Sequence, residues 1–169
     1  MDLDLDLTGR RRDDPTPDYA RRLLPVTRLA RTLAATVMLL AVLSWTLTRE
    51  AGGWPRPGLP PAVPVALSLF AAMLILLSSR FRSSVLRRAF PRSVELQPQP
   101  ETVLAAYGKA TLISFAILEV AALLGLVVSL TSGAAYYGIV LCAASAFGML
   151  TRWPRASEVD RLLRGRAKP

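Results

Sequence analysis

The sequence predicts an all-α membrane protein with four transmembrane helices arranged as two antiparallel hairpins. Of its 169 residues, 52% are hydrophobic, yet 21 basic and 12 acidic side chains give it a formal net charge of +9. A soluble chain of this length has no core large enough for so many apolar residues, and a disordered basic chain contains far fewer of them. The charges also lie between long uncharged segments, which is typical of integral membrane proteins.

The uncharged segments define the helices. Two of them occupy 32–48 and 57–79, and a longer one, 110–151, is interrupted only by Glu119. Because about 20 residues cross a bilayer core, the long segment must contain two helices, and the turn-forming residues at 131–138 separate them. We therefore predict a transmembrane domain over 29–151, with helices over about 29–48, 59–79, 103–131 and 135–151.

The first 28 residues carry aspartate and arginine throughout. The apolar run begins too late for a signal peptide and has no small-residue cleavage site, so we expect the first helix to remain in the mature protein. The alternation of Asp and Leu at 2–7 would suit addition to the edge of a partner's sheet. Its polar, acidic composition favours disorder instead, and we predict that 1–28 is a largely disordered tail.

The basic residues predict the orientation of the chain in the membrane. They are concentrated in 1–31, in the loop 80–101 and in the tail 152–169, whereas the first outer loop holds only Arg49 and Arg56. The positive-inside rule then places both termini and the loop 80–101 in the cytoplasm. Arginine far outnumbers lysine, and alanine and leucine are abundant, which is typical of GC-rich bacterial genomes. We therefore predict the bacterial cytoplasmic (inner) membrane.

A similar pattern follows the second and fourth predicted helices. An aromatic residue, Pro and Arg, then Ser and Glu, occur within 88–95 and again within 152–159, and a Pro-x-Pro-acid pattern occurs at 15–18 and 98–101. One interpretation is an internal duplication that gives two hairpins in parallel orientation. The alternative is that arginine, proline and aromatic residues recur at the membrane borders of any arginine-rich protein.

Small residues recur at a spacing of four in the last two predicted helices. Since lipid provides no hydrophobic force between helices, small side chains that let backbones approach determine their packing. We predict a tight antiparallel hairpin between these helices; the alternative is that one small face mediates oligomerisation. The predicted helix-packing residues are Ala121, Gly125 and Ser129 in the third helix and Gly138, Cys142 and Ala146 in the fourth.

Glu119 is the one charged residue deep inside a predicted span, because Arg31 and Lys109 lie near the ends of theirs. Acidic and basic residues at mid-bilayer cost roughly 2.5–3.5 kcal/mol on insertion scales, so such residues are functional candidates by default. In an isolated protein we expect Glu119 to be protonated and hydrogen-bonded to a serine or a carbonyl. Three roles remain open: ion binding, a structural hydrogen bond between helices, and neutralisation by a partner subunit. The candidate hydroxyl partners for a hydrogen bond with Glu119 are those of Ser44, Ser68, Ser114, Ser145, Tyr107, Tyr136 and Tyr137.

The segment 114–130 around Glu119 resembles the carboxylate-bearing helix of the proteolipid (c) subunits of rotary ATP synthases. Gln99-Pro100-Glu101 precedes Glu119 at close to the family spacing, and the resemblance covers residues 98–130. It implies that Glu119 is a proton- or sodium-binding carboxylate in a ring. As a whole, the chain is similar to small four-helix bacterial membrane proteins, a likeness that implies no activity.

Two basic segments are predicted to be amphipathic and to contact anionic lipid headgroups, since juxtamembrane Lys and Arg residues gain about 1 kcal/mol each there. The first lies in the loop 80–101 and the second in the tail 152–169. Nucleic acid is not an expected partner, because these residues lie at membrane borders and adjoin no soluble fold. The predicted headgroup contacts are Arg80, Arg82, Arg87, Arg88, Arg161 and Arg164.

The composition also limits the chemistry. The chain has no histidine and one cysteine, so we expect no metal centre, no catalytic triad and no cofactor. We therefore expect no enzyme. The leading hypothesis is a structural or accessory subunit of a larger membrane complex, with other membrane subunits or self-association and membrane lipids as partners. The alternatives are an oligomeric ion-translocating or channel protein that uses Glu119, and a stand-alone lipid-interacting membrane protein.

Overall fold

The computed structural model describes residues 19–50, 60, 62–89, 100–155, 157–159 and 162, and these residues contain helices and no strand. The predicted all-α fold is thus confirmed over the described residues. The helices are α1 (Tyr19–Arg22), α2 (Leu24–Glu50), α3 (Ala62–Ala89), α4 (Pro100–Ser132) and α5 (Ala135–Thr151).

Three of the described helices are long and apolar enough to cross a membrane, as expected of a multi-pass membrane protein. The fourth predicted span, α5, is apolar but has only 17 residues. At 1.5 Å per residue it is about 25 Å long, somewhat less than the ~30 Å hydrocarbon core of a bilayer. The three longer spans are Leu24–Arg49, Ala62–Arg88 and Glu101–Ser132.

Helix α4 is the centre of the bundle, and α2, α3 and α5 all pack against it. Because α4 has small side chains on more than one face, α2 packs beside Ala122 and α3 beside Ala121. Consecutive α4 and α5 form a packed hairpin, as predicted. The first predicted hairpin differs, because α2 and α3 lie on different faces of α4 and share no extensive interface among the described residues.

The start of α2 lies within the predicted disordered tail. Residues 1–18 are outside the described part of the chain, but 19–28 form α1 and the first turn of α2. Pro25 has no N–H to offer the carbonyl of Arg21, so the helical hydrogen bonding is interrupted at Leu23 between α1 and α2. Leu23 is buried there against Val103 and Tyr107 of α4, which fixes the beginning of α2 to the bundle.

Helix α3 continues well past its predicted end at residue 79. The basic segment predicted to lie in the loop 80–101 is instead, as far as Ala89, the last part of one continuous helix, Ala62–Ala89. No glycine or proline lies between Pro64, in the first turn, and Pro91, so nothing in the sequence breaks the helix at the membrane border. The extension is about 15 Å long and carries Arg82 toward the residues that follow α5.

The turn between α4 and α5 lies where the sequence predicts it. Gly133 has a φ of 70°, a left-handed conformation that glycine adopts easily and that commonly ends helices. The Ser132 hydroxyl accepts a hydrogen bond from the backbone N–H of Ala134 at 3.3 Å. At the opposite end of the bundle, α5 ends at Thr151 and Pro154 lies buried three residues later.

That opposite end joins four parts of the chain, namely the starts of α2 and α4, the end of α3 and the segment after α5. Leu23, Val103, Tyr107 and Val159 pack together there. We call it the basic end, because Arg22, Arg82 and Arg152 all lie there in contact with other residues.

Candidate functional site

Glu119 lies near the middle of α4, on the border between the buried and exposed faces of that helix. Its side chain is partly buried. Phe115 and Ala122, one turn away on either side, are fully buried in the cluster that includes residues of α2. Val120 and Leu123 are 48% and 44% exposed. The carboxyl group therefore lies at the edge of the contact between α4 and α2 and is open to the surroundings of the bundle.

Glu119 makes no hydrogen bond or ion pair with any described residue. The expected bond to a serine or a carbonyl is therefore not present. Ser44 and Ser68 donate to carbonyls of their own helices, at 2.9 and 2.8 Å. Ser114 and Tyr107 are engaged at the basic end. In helices, hydroxyls readily bond to the carbonyl four residues earlier, which leaves them less available to a side chain on another helix.

A second polar group at this depth also has no partner among the described residues. Ser145 of α5 is fully buried, and its hydroxyl accepts and donates no hydrogen bond. Gly148 adjoins Leu118 and Cys142 adjoins Ala122, so Ser145 lies at the level of Glu119, but within the bundle. Among the described residues, Glu119 and Ser145 are thus two unpartnered polar groups at mid-bundle, one at its edge and one within it.

The predicted helix-packing residues lie at the contact of α4 and α5, and α2 joins them there. A Cβ atom on Gly125 would lie 2.9 Å from the Cβ of Leu141, and one on Gly138 would lie 2.6 Å from the Oγ of Ser44. The Gly138 N–H donates to the Ser129 hydroxyl at 2.8 Å. Three helices therefore approach one another closely at Gly138. The other members of the predicted set are also at least partly buried: Ala121, Cys142 and Ala146.

The basic end contains a polar cluster that the sequence analysis did not identify. The Arg82 guanidinium donates to the Glu158 carboxylate at 2.7 Å, and the same carboxylate oxygen accepts a hydrogen bond from the Tyr107 hydroxyl. The backbone N–H of Arg155 donates to that hydroxyl at 3.2 Å. The cluster thus joins α3, α4 and the segment after α5. The Arg82 side chain is only 14% exposed, and its Nε atom has no hydrogen-bond partner among the residues that the structure describes.

Arg152 extends the polar cluster toward the membrane. Its guanidinium donates to the Ser114 hydroxyl of α4 at 3.2 Å and to the Ser78 hydroxyl of α3. Trp153 packs near the ring of Phe115, with 6.3 Å between ring centroids. The aromatic-Pro-Arg pattern at 153–155 is therefore the point at which the chain turns back onto the bundle. The matching pattern in 90–95 lies outside the described residues, so the duplication stays a prediction.

The surroundings of Glu158 and Arg152 in this cluster shift the pKa values of both side chains. The hydrogen bonds from Tyr107 and Arg82, with the charges of Arg82 and Arg155, outweigh the effect of burial and hold the pKa of Glu158 below its ordinary value. Burial, reinforced by the charge of Arg82, lowers the pKa of Arg152. Glu158 is thus an anion that pairs with Arg82 and faces the charge of Arg155.

The residues predicted to contact headgroups fall into three groups. The side chains of Arg80, Arg87 and Arg88 are exposed on α3 and remain candidates for that role. Arg82 has a different partner, because α3 carries it inward to Glu158 and its guanidinium lies 5.3 Å from the centre of the Tyr107 ring. Arg161 and Arg164 lie outside the described residues.

Within the part of the chain that the structure describes, no group of His, Cys, Asp or Glu side chains could hold a metal ion. No protein-family model, curated protein or solved structure matches this chain. The resemblance to ATP synthase proteolipids stays a prediction.

Replacing Glu158 with glutamine should lower the free energy of unfolding at neutral pH by about 1–2 kcal/mol, since a charged hydrogen bond is lost but the carboxylate is 42% exposed. The pKa of Glu158 is lower in the folded protein than in the unfolded chain. The carboxylate therefore contributes its whole stabilisation above its pKa in the unfolded chain, and this is lost as the pH falls through its pKa in the folded protein. Denaturant titrations in detergent at several pH values would measure it. A variant as stable as the parent chain at neutral pH would contradict the assignment.

Proposed function

We propose that this protein is a structural or accessory subunit of a larger membrane complex, and that it meets its partner at the face of α4 around Glu119. The observation that carries the proposal is the unpartnered carboxyl group at mid-helix, on the outer edge of the bundle. We further propose that it is not an enzyme.

The argument for a partner is energetic. A carboxyl group in the hydrocarbon core is costly unless a donor or a cation satisfies it, and no described residue does so. A partner helix that carries a hydrogen-bond donor or a cation at the same depth would satisfy it. Leu123 and Val127, which lie C-terminal to Glu119 on the exposed face of α4, provide apolar contact surface for such a helix.

The proposed orientation places the basic end in the cytoplasm of a bacterium. Arg22, Arg82 and Arg152 all lie at that end, whereas the α4–α5 turn at the other end contains no charged residue. This is the asymmetry that the positive-inside rule associates with the cytoplasmic side. Both chain termini then lie in the cytoplasm.

Co-purification from native membranes in mild detergent tests the proposal. The tagged full chain should retain one polypeptide in fixed stoichiometry, and Glu119→Leu should lose it. Glu101→Leu is the matched control, because it makes the same change at an exposed ion pair of the same helix. Glu101 lies eighteen residues before Glu119, which is five helical turns, so both residues are on the same face of α4. A photoreactive residue at Val120 should crosslink to the same polypeptide.

A monodisperse lone protomer from native membranes would contradict the proposal, as would equal retention of the partner by Glu119→Leu. If Glu119 instead reacts with a carboxyl-directed carbodiimide in a pH-dependent manner, and Glu119→Gln abolishes ion movement without affecting assembly, the ion-binding alternative replaces it.

A further inference from the structure

A groove lies between α4 and the start of α2 at the basic end, about 550 Å³ in volume. Its floor is formed where Gly108 meets Val26; a Cβ atom on Gly108 would lie 3.1 Å from a methyl carbon of Val26. The close approach of the two helices leaves a recess above this point. Its apolar walls are formed mainly by Leu23, Leu104, Ala105, Leu112 and Ile113.

Three charged residues line the same groove. Arg22 and Glu101 form an ion pair at 3.0 Å and neutralise each other. Lys109 is exposed and has no ionic partner among the described residues. The groove therefore combines an apolar recess with one uncompensated positive charge, a combination that is complementary to an anionic amphiphile.

The depth of Lys109 identifies the kind of amphiphile. Lys109 lies 23 residues before the end of α4 at Ser132, which corresponds to about 35 Å along the helix. If the hydrocarbon core begins at Ser132 and is about 30 Å thick, it ends near Leu112 and Ile113. The ammonium group of Lys109 then lies just beyond it, at the level of the lipid headgroups. Leu104 and Ala105 lie still farther out, at a depth where surrounding lipids present only polar groups to the protein.

We propose that this groove holds one anionic phospholipid, with its phosphate at Lys109, its headgroup over Leu104 and Ala105, and its acyl chains beside Leu112 and Ile113. The acyl chains then enter the hydrocarbon core past Leu112 and Ile113, and the recess next to Lys109 holds the headgroup. The phosphate compensates the charge of Lys109. This site is separate from Glu119, and it is not among the headgroup contacts predicted from the sequence.

Native mass spectrometry of the full chain, purified and exchanged into defined lipid, tests the proposal. The probes are phosphatidylglycerol, which is anionic, and phosphatidylcholine, which is zwitterionic. The parent chain should retain one phosphatidylglycerol in preference to phosphatidylcholine. Lys109→Gln should reduce that preference about fivefold, the ratio that corresponds to the ~1 kcal/mol contributed by one basic residue near anionic lipid.

Two matched controls separate the groove from the general membrane surface. Arg49→Gln removes an exposed cation at the opposite end of the bundle and should leave the preference unchanged. Ala105→Phe fills the groove and should abolish retention of either lipid, whereas Ala143→Phe, on the exposed face of α5, should not.

Equal retention of the two lipids by the parent chain would overturn the proposal, as would an undiminished preference in Lys109→Gln or retention by Ala105→Phe. A polypeptide that occupies the groove and is displaced by Ala105→Phe would also overturn it. If Ala105→Phe fails to fold, Lys109→Glu decides the matter, because it changes only an exposed side chain and should abolish the preference for the anionic lipid.

Discussion

Replacing Gly138 with valine should destabilise the bundle by about 3 kcal/mol, because the new side chain has no space among three helices. Its Cβ atom alone would lie 2.6 Å from the Oγ and 2.9 Å from the Cβ of Ser44, and would overlap the Ser129 hydroxyl. The overlap is with groups held close to the backbones of α2 and α4, so neither helix can yield without moving. Unfolding by a denaturing detergent, followed by circular dichroism, measures the loss.

Gly148→Ala is the control for this prediction. The added methyl group would meet only the ends of the Leu118 side chain, at 3.1 and 3.2 Å, and that side chain can rotate away. We expect less than half of the loss seen for Gly138→Val. If both variants lose the same free energy of unfolding, close packing at Gly138 is not what holds the three helices together.

Reversing the charge of Glu158 by replacing it with arginine should cost about 2–4 kcal/mol, because it removes the anion that pairs with Arg82 and puts a like charge in its place. The new guanidinium would also lie near that of Arg155. The double variant Arg82→Glu, Glu158→Arg restores one attractive pair, and we expect it to recover at least half of the loss. Denaturant unfolding and limited proteolysis of residues 152–159 measure both effects.

The exposed pair of Arg22 and Glu101 provides the control for the charge reversal. Both side chains are more than half exposed, at 56% and 75%, so solvent screens their attraction. Glu101→Arg should change the free energy of unfolding by less than about 0.5 kcal/mol. Equal effects at Glu158 and Glu101, or no recovery in the double variant, would show that the cluster at the basic end does not hold the chain segment after α5.

Local sequence patterns predict the helices of this protein well. The bounds of α5 are as predicted, because Gly133 and Pro154 flank it with residues that end helices. The end of α3 was predicted too early, since a change from apolar to basic residues marks a membrane border but does not stop a helix. Position in the membrane and helix length are set by different properties of the sequence.

The lateral arrangement of the helices and the cluster at the basic end could not be predicted in the same way. Adjacent helices in the chain suggested a hairpin of α2 and α3, yet both pack on α4, because its small residues offer the closer approach. Arg82 and Glu158 are 76 residues apart, and nothing in the local sequence of either indicates the other. Glu119 was identified by its charge alone, while its position at the outer edge of the bundle depends on the packing of α2.

The placement of α4 at the centre has a consequence for biosynthesis. The ribosome makes α2 and α3 before α4, so two helices enter the membrane before the helix that both pack against exists. During that interval the Ala30 and Ala71 faces have only lipid as neighbours, and Arg82 remains without Glu158. The bundle thus assembles around helices that are made late. A nascent chain that stops before α4 leaves two helices joined by their connecting segment but without the helix that both pack against.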